Sequence, residues 1–255
     1  MTTPADAITR FSDRVENYIR YRPGYPPTVL ACLVEEFGLR SDHVIADVGS
    51  GTGISAEVFL RHGCSVFAVE PNADMRAAAE RLLAAYPRFT SINGTAERTT
   101  LADASVAWIV AAQAFHWFDV VAARREFSRI LRPGGRVALL WNERREDTPF
   151  LAAYETLIRE YATDYTQVRH ENARADGRIE QFFGSRPAER TFDNEQRFDF
   201  GGLAGRLLSS SYVPNRGTPR CEAMLAALRR LYDAHAAAGC VRVLYTTRIF
   251  VGSIG

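Results

Sequence analysis

Four short, almost unbroken apolar runs punctuate the first 142 residues: Val44-Ile-Ala-Asp-Val48, Ser65 to Glu70, Val106 to Ala112 and Arg136 to Trp141. Runs of this length without polar alternation predict strands covered on both faces, as in a parallel sheet. A fifth strand is predicted at Phe89–Ile92. Between the runs the apolar period changes to that of a helix. Pro26 and Pro27 precede a helical pattern over Thr28–Phe37 that stops at Gly38, and a second begins near Ser55 and stops at Gly63. Asn72 is placed to cap a third, with Met75, Ala78, Leu82, Leu83 and Tyr86 on its apolar face. Asp119 is placed to cap a fourth, buried through Val120, Ala123, Phe127, Ile130 and Leu131. Strands alternating with helices predict an α/β fold with right-handed crossovers.

After Asn142 the rhythm changes. A helix over Pro149–Tyr161 leads into a charged stretch, Arg169 to Gly177, expected to be a mobile loop. Strand six is expected within Ala188–Phe200 and strand seven at Val241–Val251. Between them, Gly201 to Gly239 carry the pattern of two helices, the second through Met224, Leu225, Leu228, Leu231 and Tyr232.

The first strand runs into Gly49-Ser-Gly-Thr-Gly53, and the second ends on Glu70. Glycines at such a turn allow positive φ and close approach of a ligand to the backbone, while the helix that follows offers unpaired N–H groups. A carboxylate at the tip of the neighbouring strand is placed to accept both hydroxyls of a ribose. The dinucleotide fingerprint has its third glycine five residues after the first, where this chain has Ile54. An NAD(P)-dependent oxidoreductase is therefore the weaker alternative. A non-catalytic nucleoside-binding protein is a second, because a fold does not fix a function.

The order and spacing of five segments over residues 44–142 resemble the class I S-adenosylmethionine-dependent methyltransferases. They are Asp47-Val-Gly-Ser-Gly-Thr-Gly53, Glu70, Asn93-Gly-Thr-Ala-Glu97, Gln113-Ala-Phe-His-Trp-Phe-Asp119 and Leu131-Arg-Pro-Gly-Gly135. Within that superfamily the chain is similar to the small-molecule type 11 group, which includes trans-aconitate methyltransferase-like and quinone C-methyltransferase enzymes. The resemblance implies a Rossmann-like, doubly wound sheet of seven strands, mostly parallel with an antiparallel last strand, plus a helical cap insertion. It implies one methyltransferase domain over residues 1–255. Residues 1–40 would form an N-terminal lid and helix, 41–142 the cofactor-binding core, and 143–255 the substrate side with an insertion at about 201–239.

S-adenosylmethionine is the implied cofactor, held by Asp47, Gly49, Ser50, Gly51, Gly53, Glu70, Pro71, Met75, Thr95, Ala96, Glu97 and Gln113. Asp47 either holds the loop backbone or reaches the ligand. Thr95 stands where the family commonly has Asp, which shifts adenine recognition toward the backbone of Ala96 and Glu97; Ala107 also replaces a common Asp at the start of strand four. The acceptor side is expected from Tyr18, Tyr21, Arg22, Trp117, Trp141 and Tyr212, with Phe11 and Tyr25 in the same N-terminal aromatic segment and Ser209–Pro214 as a second wall. Phe118 is read either as cofactor wall or as core. His116 is the candidate catalytic residue, either a general base, since its ordinary pKa is near neutrality, or a wall of the pocket. Guanidinium matches carboxylate bidentately, so Arg20, Arg22, Arg144 and Arg145 are candidates to receive an acidic acceptor.

Composition narrows the chemistry. All 31 basic residues are Arg, so there is no lysine for a P-loop or a Schiff base. A net charge of +1 leaves no electrostatic footprint for nucleic acid, and the chain lacks both the Asn/Asp-Pro-Pro-aromatic motif and the Pro-Cys nucleophile of DNA methyltransferases. Cys32, Cys64, Cys221 and Cys240 form no C-x-x-C pair and the five histidines are scattered, so reduced thiols and no metal are expected. The start of the chain lacks an apolar signal core, and the longest apolar run is too short to span a bilayer. The expectation is a cytoplasmic enzyme acting on a small-molecule methyl acceptor, with no nucleic-acid or membrane partner.

Overall fold

A computed structural model describes residues 15–163, 165 and 177–254. The expected seven-stranded sheet forms, in the order β3-β2-β1-β4-β5-β7-β6. Its strands are β1 (Val44–Val48), β2 (Ser65–Val69), β3 (Phe89–Ile92), β4 (Val106–Ala112), β5 (Leu131–Arg144), β6 (Ala188–Phe198) and β7 (Val241–Gly252). β1 to β5 are mutually parallel, and β7 runs antiparallel between β5 and β6. The order reverses between β1 and β4. Ligands of doubly wound sheets bind beyond the carboxyl ends of the strands at such a switch point.

The helices are α1 (Val15–Tyr21), α2 (Pro27–Glu35), α3 (Ile54–His62), α4 (Ala73–Leu82), α5 (Val120–Ile130), α6 (Pro149–Tyr161), α7 (Arg178–Phe183), α8 (Phe200–Leu208) and α9 (Pro219–His235). Two capping expectations hold at atomic level. Asn72 Oδ1 accepts from Met75 N at 2.9 Å, and Asp119 Oδ1 accepts from Val121 N and Ala122 N at 3.0 Å.

The central strands are sealed on both faces. Ile109, Leu139 and Phe127 belong to one apolar layer, and Ile45, Val110, Leu140 and Leu33 to the other. A third cluster joins α6, α8, α9 and β7 through Leu151, Leu203, Leu228 and Val243. This is how the two helices between β6 and β7 are anchored.

Three expectations need correction. Leu82 is 45% exposed, and the buried positions there are Met75, Ala78, Ala79 and Leu83. β5 starts at Leu131, earlier than Arg136, because Leu131 already pairs with Val106 ahead of the Pro133-Gly-Gly135 turn. α7 is unanticipated; it buries Ile179, Phe182 and Phe183, with Phe182 edge-on to Phe115 and Phe127. Phe11 and residues 169–176 of the expected loop lie outside the described residues.

Candidate functional site

The loop after β1 turns on three glycines with positive φ, each for its own reason. A Cβ on Gly49 would lie 2.5 Å from Ala114 Cβ, and one on Gly53 would lie 2.6 Å from Leu83 Cδ1. Those two positions are fixed by packing. A Cβ on Gly51 would meet nothing within 4 Å, because that face of the loop opens into the cleft. Gly53 thus caps α3 and packs on α4 instead of lining the site.

Glu70 holds this loop in place. Its Oε2 accepts from Gly51 N at 2.9 Å and its Oε1 from Asn72 N at 2.9 Å, so one carboxylate joins the turns after β1 and β2. The side chain is buried at the strand end, the residue being only 9% exposed. Burial raises its pKa, and the two N–H donors and the nearby Arg76 act in the opposite direction. Arg76 donates to the carbonyls of Glu70 and Pro71 and to Asn93 Oδ1, which ties the β2 and β3 turns together.

Asp47 lies wholly buried beneath the loop, outside the cleft lining. Its Oδ2 accepts from Ser55 Oγ at 2.6 Å, and Oδ1 has no partner among the described residues. Burial pushes its pKa up to about 7, with Glu70 adding to the rise and Ser55 opposing it. An acid with a folded-state pKa above its unfolded value binds a proton in the folded state that the unfolded chain has already lost. Its stabilising contribution is complete below the unfolded value and is lost as pH rises through about 7. Without ligand, wild type should lose about 2–3 kcal/mol more than Asp47→Asn between pH 5 and 8, at 1.36 kcal/mol per pKa unit. Urea denaturation of both proteins at the two pH values checks this.

Two adjoining chambers open at the carboxyl ends of β1, β2 and β4, and both are bordered by Tyr18, Gly49, Ala112, Gln113 and Trp117. The first holds Gly51, Glu70, Pro71, Met75, Thr95, Ala96 and Glu97. Thr95 N and Arg98 N exchange backbone bonds across a tight turn, and Glu97 Oε1 accepts from Asp119 N at 3.0 Å. The turn thereby presents Thr95 to Glu97 along one wall. The second chamber holds Ser50, Arg22, Tyr25, His116, Arg144, Arg206 and Tyr212. Gln113 stands between the two at φ 57°, an uncommon conformation for a residue with a side chain and one that clusters at functional sites. Its N–H is held by Leu140 O at 2.8 Å.

The N-terminal segment lines the second chamber through Tyr18, Arg22, Pro23 and Tyr25 and is held there. Asn142 and Asn194 both donate to Gly24 O, Gln196 donates to Tyr21 O, and Arg22 Nη2 donates to Ser209 O at 3.0 Å. Tyr18 and Arg22 share one face, with the guanidinium 4.9 Å from the ring centre.

Several expected residues stand elsewhere. Tyr21 packs onto Gly205, where any Cβ would clash with its ring, and edge-on to Phe198, so it anchors the N-terminal segment from outside the cleft. Trp141 is buried between Phe115 and Phe250. Arg20 is exposed, and Arg145 pairs with Asp147 and Asp193 away from the cleft. Arg206 was not anticipated. It is the only charge in the apolar helix Phe200–Leu208, and that isolation is the signal in the sequence that marks it.

The glycine turn between β1 and α3, the acid after β2, the turn after β3 and the chamber beyond β4 thus line one continuous cleft. Residues 46–139 match the family model described as "Methyltransferase domain". Over those residues the chain carries a methyltransferase domain. It is 39% identical over 141 residues to an uncharacterized methyltransferase of Mycobacterium tuberculosis, covering 55% of each chain. It is 29% identical over 158 residues to an uncharacterized methyltransferase-like protein of Schizosaccharomyces pombe, covering 62% of this chain and 60% of the other. The chain thus matches little more than half the length of these curated relatives. A solved structure from Anaeromyxobacter dehalogenans, assigned as a type II methyltransferase, superposes with TM-score 0.66 at 25% identity over 92% of this chain and 98% of its own.

The methyltransferase domain fits its cofactor on its own geometry. Ser50 Oγ and Thr52 Oγ1 are buried without partners among the described residues, at the loop where the ligand would lie. Gly51 leaves the loop face clear, and Glu70 presents a carboxylate beside it. Among the described residues there is no cluster suited to a metal, and no helix is long and apolar enough to cross a membrane.

Proposed function

We propose that the chain transfers a methyl group from S-adenosylmethionine to a small-molecule acceptor and releases S-adenosylhomocysteine. The observation that carries this reading is the pair of adjoining chambers that meet at Gly49, Ala112, Gln113 and Trp117. When bound, the cofactor supplies an electrophilic methyl carbon on a sulfonium. Methyl transfer is an in-line displacement, so the chain's part is alignment and exclusion of water. Glu70, Pro71, Met75 and Thr95–Glu97 would hold the nucleoside in the first chamber, and the lid residues Tyr18, Arg22 and Tyr25 would cover the second. The cover over the second chamber and the net charge of +1 favour a small acceptor over nucleic acid or a membrane surface. All four cysteines are free, which suits the reducing cytoplasm. Incubation with methyl-labelled S-adenosylmethionine and a fractionated metabolite extract should put label into a small molecule, with S-adenosylhomocysteine released in equal amount. Label recovered only in protein or nucleic acid would refute the acceptor class.

His116 lines the second chamber on a single 3-10 turn, its ring 4.8 Å from Trp117 and its carbonyl facing Arg178. We assign it to the wall, since the displacement depends chiefly on alignment. His116→Asn should then lower kcat by less than about tenfold and raise the acceptor KM, whereas loss of a general base costs about 10² or more in kcat. Steady-state kinetics across pH on the identified acceptor decides between them.

A further inference from the structure

Three guanidinium groups converge in the second chamber: Arg22 from the lid, Arg144 from the end of β5 and Arg206 from α8. They approach one another closely enough that burial and the charge of Arg206 together lower the pKa of Arg22. Tyr212, from the segment after α8, faces all three; burial alone would raise its pKa, but Arg144, Arg206 and Arg22 together bring it below its ordinary value. Only Arg144 has an acidic partner among the described residues, Glu155, and the Tyr165 hydroxyl also faces it. Arg206 is 6% exposed and is satisfied only by neutral groups, Tyr245 Oη at 3.1 Å and Ser210 Oγ at 3.4 Å. Among the described residues Arg22 donates a hydrogen bond only to the Ser209 carbonyl, its Nε has no hydrogen-bond partner, and its guanidinium lies over the Tyr18 ring.

Buried charge is costly unless it is paired, and guanidinium groups are rarely buried against neutral partners alone. The chamber lining holds these three guanidiniums and one carboxylate, Glu146, while Glu155, which pairs with Arg144, is shared with Arg159. With Arg144 already held by Glu155, Arg22 and Arg206 are left to an incoming anion, and the two oxygens of a carboxylate match such a pair. Trp117, Tyr18 and Tyr25 supply an aromatic wall for the rest of the molecule.

We propose that the methyl acceptor is a small carboxylic acid whose carboxylate is seated on Arg206, Arg22 and Arg144. This rests on the methyltransferase reading above. The carboxylate fixes the molecule by paired, charge-assisted hydrogen bonds and sets its nucleophilic atom toward the neighbouring chamber. The same arginines could instead take the carboxylate of the cofactor's own methionine part, and the test separates the two.

Benzoate, cinnamate and hexanoate, each beside its amide, and phenyl phosphate are titrated by calorimetry into protein saturated with S-adenosylhomocysteine. At least one acid should bind tenfold or more tightly than its amide. Arg206→Gln should remove that preference and Arg206→Lys should keep part of it, while affinity for S-adenosylhomocysteine stays within about twofold. If Arg206→Gln does not fold, Arg22→Gln on the lid gives the same reading. Equal or absent binding of all acids and amides overturns the proposal, as does preference for phenyl phosphate. A tenfold loss of S-adenosylhomocysteine affinity in Arg206→Gln would assign the arginines to the cofactor. Failure of the wild type to bind S-adenosylhomocysteine would instead strike the methyltransferase reading itself.

Discussion

Gly51→Val is expected to lower affinity for S-adenosylhomocysteine by more than about 100-fold, a loss of roughly 2.7 kcal/mol or more. Two causes act together. Gly51 sits at φ 56°, where a β-branched residue is strained, and its Cβ would project into the chamber that Glu70 borders. The variant should still fold, because that Cβ meets no protein atom within 4 Å and the cost is local backbone strain of about 1–3 kcal/mol. Calorimetry on a variant shown folded by circular dichroism checks both halves. Unchanged affinity would mean that the open face of the loop is not the ligand face. Gly49 and Gly53 should behave differently, since a side chain at either would displace Ala114 or Leu83 and cost stability first.

Glu70→Ala should weaken S-adenosylhomocysteine binding about 10- to 100-fold, from loss of charged hydrogen bonds worth roughly 1.5–3 kcal/mol. The structure adds a second effect that an exposed acid would not have. Gly51 N and Asn72 N both donate to this carboxylate, so its removal leaves two turn N–H groups without their acceptor. Stability of the unliganded protein should also fall, by about 1–3 kcal/mol. Parallel calorimetry and urea denaturation separate the two losses. A variant that loses stability but binds normally would reduce Glu70 to a brace for the loop.

What could be read in the sequence was what local pattern determines. β1 and β4 begin and end where their apolar runs do, and α6 spans Pro149–Tyr161 because Thr148 caps it and the proline opens it. The glycine loop and Glu70 were legible from order along the chain. What the sequence concealed depends on partners remote in it. Glu70 looks exposed beside Pro71 until the β1 loop folds over it. Tyr18 and Tyr21 look equivalent, yet Tyr18 lies one helical turn from Arg22 and faces the cleft, whereas Tyr21 is turned toward Gly205. Trp141 ends an apolar run and carries a polar tip, but β5 directs it between Phe115 and Phe250. α7 has too few residues to register as a period, and its aromatic side chains become meaningful only against Phe115 and Phe127. Arg206 reaches the site only because α8 packs beside the lid.

Thermal unfolding with two competing ligands shows whether the cleft beyond β1, β2 and β4 selects S-adenosylmethionine. A ligand at about 100 times its Kd stabilises by roughly 2.7 kcal/mol. For a chain of this size that corresponds to an increase in Tm of about 5–10 °C. That increase is expected with S-adenosylhomocysteine and none with NAD at the same concentration. A shift with NAD and none with S-adenosylhomocysteine would contradict it.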